Sequence, residues 1–74
     1  WRWNMAVSWD DIKAFVEEAF EREGRVERAD VVDLAYAENA NDDVIDALDT
    51  IGSRVFNTVE DTHRFLAGQK VVAD

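Results

Sequence analysis

The sequence predicts an all-α fold, a small single-domain bundle of four short helices, and three observations carry that prediction. No proline occurs, and the three glycines, Gly24, Gly52 and Gly68, each fall where an apolar period runs out. Apolar residues recur at three- and four-residue spacing through most of the chain, as on helices with one buried stripe. Ser8 and Thr58, each with an Asp three residues on, stand just ahead of two of those stripes, where N-caps belong.

The first helix is expected over 8–23. Ser8 caps it, Asp11 answers as the capping-box acid, and Val7 and Ile12 take the two positions of a hydrophobic staple. Trp9, Ile12, Val16, Ala19 and Phe20 form one apolar stripe with Phe15 at its edge. Glu17, Glu18, Glu21 and Arg22 face water, and Gly24 is a natural left-handed C′ residue.

The second helix is expected over 29–38, with Asp30 and Asp33 at capping-box spacing. Val31, Leu34 and Ala35 point inward, flanked by Val32 and Tyr36. The third, 42–50, buries Val44, Ile45, Leu48 and Ile51 and presents Asp42, Asp43, Asp46 and Asp49 to solvent. Gly52–Asn57 reads as a short extended connector whose Phe56 plugs the core. The fourth helix, 58–67, is capped by Thr58 with Asp61 three residues on, turns Val59, Thr62, Phe65 and Leu66 inward and stops at Gly68.

Residues 5–68 are therefore expected to form one helical domain, followed by a short tail, 69–74, in which Val71-Val72 either packs back or frays. Met5-Ala6 reads as a natural start, which makes Trp1–Asn4 an appended remnant or a disordered aromatic–cationic arm. There is no internal repeat or low-complexity segment.

Composition narrows the function classes. Seventy-four residues lie near the lower limit for a domain without staples. The absence of cysteine rules out disulfides and thiolate metal sites, and it fits a reducing, cytoplasmic setting. Apolar runs reach three or four residues, far short of the ~20 that span a bilayer. No charged n-region precedes an apolar h-region, so no secretory signal is expected. Seventeen acids against eight bases give a net charge of −9, which repels phosphate backbones and anionic lipid and favours a partner with a basic surface.

The stretch AENANDDV, Ala37–Val44, packs two asparagines and two aspartates closely together. As an EF-hand loop it would need Gly at the sixth position and a bidentate Glu at the twelfth, where Val44 and Thr50 stand if Asn39 is the first. As punctuation every residue has a task. Asn39 tolerates the left-handed conformation that ends a helix, and Asn41 offers an N-cap oxygen. Asp42 and Asp43 meet the positive end of the next helix dipole.

A helix, a turn of about three residues and a second helix give the shape of a DNA-binding helix-turn-helix. The second helix would bring Asp42, Asp43, Asp46 and Asp49 to the major groove, and that charge argues against nucleic acid.

Catalytic arrangements are equally poorly supplied. The single histidine, His63, reads as an exposed or boundary helical residue, and Ser8 and Ser53 as a cap and a turn residue, so no Ser–His–Asp set is suggested. No carboxylate lies in the apolar setting that acid–base work requires, and no glycine-rich phosphate loop is present. The expectation is no enzyme, no metal and no cofactor.

The runs Val31-Val32-Asp33-Leu34-Ala35, Glu38-Asn39-Ala40-Asn41-Asp42-Asp43-Val44 and Ala47-Leu48 resemble a family of small prokaryotic helical domains of unknown function, number 2795. Ser53–Asp61 looks like that family's aromatic-bearing connector into a last helix capped by Ser or Thr. The resemblance covers about Asp30 to Leu66 and departs at two points. Asn39 stands where the family often has Gly, and Gly24–Ala29 lacks its Phe-Pro approach to the second helix. It implies a helical fold and transfers neither an activity nor site residues.

The function expected from these features is a non-catalytic acidic protein-interaction or regulatory module, with Asp42, Asp43, Asp46 and Asp49 as the candidate partner-binding face. The alternative is a nucleic-acid-related regulator, acting through the helix-turn-helix shape or as an acidic DNA mimic. Trp1, Trp3 and Tyr36 also offer an aromatic surface for a homodimer.

Overall fold

The structure, a computed structural model, describes residues 7–73. Among these residues the chain forms four helices and one two-residue ladder, in the order α1 (Trp9–Glu23), β1 (Val26–Glu27), α2 (Arg28–Ala37), α3 (Asp42–Asp49), β2 (Val55–Phe56) and α4 (Val59–Gly68). The all-α class and the four-helix count agree with the sequence reading. The suggested remnant at Trp1–Asn4, and with it Trp1 and Trp3 as dimer contacts, lies outside the described residues.

α1 starts where its cap residue sits. Ser8 is extended and its side chain accepts the Asp10 N–H at 3.2 Å, one residue earlier than the expected capping box would place the bond. Trp9, Ile12, Val16 and Ala19 are buried along one stripe, with Phe15 and Phe20 partly covered. Gly24, at φ +73°, closes the helix by donating its N–H to the Phe20 carbonyl at 2.7 Å, a single-bond left-handed cap that costs glycine no steric strain.

The start of α2 differs from the sequence reading. Its N-cap is Glu27, and no side chain caps it; Asp30 is a first-turn acid instead. The Glu27 carboxylate is occupied, because it accepts a hydrogen bond from Arg25 Nε. That bond raises the Arg25 guanidinium above its ordinary pKa. What holds the entry to α2 is the ladder that the sequence did not disclose. Val26 pairs with Phe56 and Glu27 with Val55, antiparallel, and Val26 is fully buried. The expected extended connector is thus half of a two-stranded clasp.

α4 begins as expected. Thr58 Oγ1 accepts the Asp61 N–H at 3.0 Å, and the buried Thr62 hydroxyl donates to the Thr58 carbonyl at 3.1 Å. Its end is later than expected. Gly68 is the last helical residue, and the left-handed turn falls at Lys70, φ +62°. Lys70 N–H donates to Ala67 O and Val71 N–H to Leu66 O, a two-bond Schellman closure. The tail then packs back. Val7 and Val72 form a parallel bridge, Val7 N–H donating to Val71 O at 3.1 Å and Ala73 N–H to Val7 O at 2.8 Å, and Val72 is buried.

One core gathers all four helices. Ile12, Val16, Val31, Leu48, Ile51 and Leu66 are each fully buried, and no buried side-chain polar atom lacks a partner among the described residues. α2 packs chiefly on α3 and α1, and α4 packs on α1. The radius of gyration is 11.2 Å, matching the ~11 Å that a folded chain of this length should have.

Candidate functional site

The aspartates of α3 are positioned by the turn that precedes them. α2 ends in a Schellman closure. Asn39, at φ +57°, donates its N–H to Tyr36 O at 3.0 Å, and Ala40 donates to Ala35 O at 2.9 Å. The predicted backbone role of Asn39 is therefore present. Asn41 is the N-cap of α3, extended at φ −63° and ψ 153°, but its side chain makes no cap bond. Its backbone carbonyl serves instead, accepting from Val44 N–H and Ile45 N–H. Position was legible here, and the expected side-chain bond is absent. Asp42 and Asp43 fill the first turn, where their charge meets orphan N–H groups and the positive dipole end, typically about 0.3–1 kcal/mol each.

Burial fixes the direction of the rest. Val44, Ala47 and Leu48 are buried and Ile45 partly so, which turns Asp42, Asp43, Asp46 and Asp49 outward, all exposed. Asp49 is the last residue of α3, at the negative end of the dipole, where a carboxylate is unfavourable. Arg28 at the start of α2 offsets this, its Nη1 lying 3.1 Å from Asp49 Oδ1. Both side chains are well exposed, so the pair contributes about 0–1 kcal/mol. Asp46 sits one turn beyond Asp42, a like-charge spacing that costs the helix about 0.2–0.5 kcal/mol. Helix stability thus accounts for Asp42 and Asp43 and leaves Asp46 without a stabilising role in α3.

Among the described residues, no group of three His, Cys, Asp or Glu side chains is placed to hold a metal ion. His63 is half-buried and stacks face to face on Trp9 of α1, ring centroids 4.0 Å apart and planes 4° from parallel. Ser8 is engaged as a cap and Ser53 lies exposed in the turn after α3. A second aromatic group joins β2 to α4. Phe56 lies 5.3 Å from Phe65, and the Arg54 guanidinium sits 4.7 Å above the Phe65 ring.

Sequence reasoning missed Arg28 as the partner of Asp49, 21 residues away, and missed the Trp9–His63 stack. Both are long-range pairs between residues whose own helical faces give no sign of the other. No helix among the described residues is long and apolar enough to cross a membrane. Compared with protein-family models, with curated proteins and with solved structures, the chain matches none of them.

Proposed function

We propose that this protein is a non-catalytic interaction or regulatory module of the cytoplasm that docks a basic surface of another protein against α3. The observation that carries the reading is the composition of that helix. Four of its eight residues are exposed carboxylates and none is basic, and Arg28 pairs with Asp49 from outside the helix. A surface of one sign accelerates encounter with its opposite and repels its own kind. The same charge opposes direct entry of α3 into a DNA groove. The proposal includes kinship with the helical family of unknown function, on the strength of the residues between 30 and 66 that resemble it.

The test reverses Asp42 and Asp46 to Lys and keeps Asp49, whose replacement would set two cations against each other at Arg28. Proteins retained from source lysate by the wild-type chain should be lost from the variant, while its circular dichroism stays unchanged. An identical set of retained proteins overturns the reading. So does a gel shift of DNA by the wild-type chain at low salt, where electrostatic attraction to phosphate is strongest.

A further inference from the structure

The α1–α2 side of the molecule holds a half-open cleft of about 260 Å³, away from the α3 carboxylates. Its apolar lining is Ala19 from α1 with Leu34 and Ala37 from α2. Its polar lining is Glu23, Asp30 and Asp33, together with Arg22. Arg22 is already paired with Glu18 one turn back on α1, so the cleft retains an excess of negative charge.

Size and chemistry together select the occupant. Sites for whole small molecules run from about 300 to 1,000 Å³, and this cleft is smaller and open on one side, which suits a single side chain presented by a partner. A lining that is part apolar and part acidic matches a side chain with an apolar stem and a cationic head. Arginine fits better than lysine. Its planar fork can share hydrogen bonds between two carboxylates, and Asp30 and Asp33 lie one turn apart on the same helix face.

We propose that this cleft is an arginine pocket, receiving one Arg side chain of a basic peptide segment on the partner. The inference rests on the reading of the chain as a module for basic partners, and it adds a specific contact at α1–α2 to the docking face on α3.

The experiment is a titration of the ¹⁵N-labelled protein with an eight-residue peptide carrying one central Arg between leucines, followed by amide chemical shifts. Three variants accompany it: Asp30→Asn with Asp33→Asn, Asp42→Asn with Asp46→Asn, and Ala37→Leu. Saturable shifts should centre on Ala19, Leu34 and Ala37. A peptide with citrulline for Arg should bind at least tenfold more weakly, as should the Asp30/Asp33 variant. Ala37→Leu, which fills the cleft at an exposed position without altering charge, should lose binding to the same extent and keeps the proposal testable if the double variant misfolds. The Asp42/Asp46 variant should leave the peptide's saturable shifts centred on the cleft.

Shifts centred on residues 42–49, or equal weakening by both pairs of Asn substitutions, overturn the pocket while leaving the α3 reading intact. Shifts at the cleft that survive Ala37→Leu or the citrulline substitution overturn it as well. Failure of the α3 reading alone would appear as unchanged lysate partners beside cleft-centred peptide shifts.

Discussion

The ends of α2 and α4 are closed by the same two hydrogen bonds and differ in the residue that must turn left-handed. At α2 that residue is Asn39, φ +57°, and at α4 it is Lys70, φ +62°. The short polar side chain of Asn tolerates this region, whereas Lys meets the ordinary steric cost of a Cβ against the following carbonyl. The next residue explains why both turns exist. Ala40 and Val71 are each packed against the core immediately after the turn. Packing therefore sets where a helix stops, and residue preference decides how much strain the stop carries. At Asn39 the two agree. At Lys70 burial of Val71 and Val72 overrides preference, and the helix passes through Gly68 to reach that turn.

The deepest break in this comparison comes from removing what one turn packs on. Leu66, fully buried, supplies the carbonyl that accepts Val71 N–H. Leu66→Ala should lower unfolding free energy by about 2–5 kcal/mol in a urea titration. Next, Asn39→Val should cost about 1–2 kcal/mol in the same titration, because a β-branched residue is forced left-handed, while Asn39→Gly should change little.

The comparison sharpens in the other direction at α4. Lys70→Gly should stabilise by about 0.5–1 kcal/mol, relief of strain being partly offset by glycine's greater freedom when unfolded. Gly68→Ala should add a similar ~0.5–1 kcal/mol, since Gly68 is helical with ordinary φ and a Cβ there meets nothing within 4 Å. The smallest effect is expected at the α2–α3 ion pair. Arg28→Ala should cost about 0.2–1 kcal/mol at low salt and less at high salt, which a melting series at two ionic strengths would read.

The same contrast explains what the sequence disclosed. Signals that act within one turn were legible: the Ser8 and Thr58 caps, Gly24, Asn39 and the apolar stripes of α1 and α3. The outward direction of the four aspartates followed from those stripes. Features that need two distant segments were not. A ladder of two residues, Val26–Glu27 on Val55–Phe56, is too short to leave an alternating pattern, and the sequence between its strands spans two helices. Arg28 offers no local reason to meet Asp49. Lys70 is the sharpest case, because its conformation is imposed by valines that the sequence left free to fray. Asn41 shows the converse: its place as N-cap was legible, while the choice between side-chain and backbone acceptor was not.

The bridge between Val7 and Val72 has a mechanical consequence. In a parallel pair the N-terminal end of the first strand and the C-terminal end of the second lie at opposite ends of the pairing. Tension applied across the two ends of the polypeptide therefore pulls along the ladder and not across it. The bonds from Val7 N–H to Val71 O and from Ala73 N–H to Val7 O are loaded together, in shear, and must rupture together. Until they do, neither α1 nor α4 feels the load, and single-molecule extension should register one peak for the clasp before the helices lengthen.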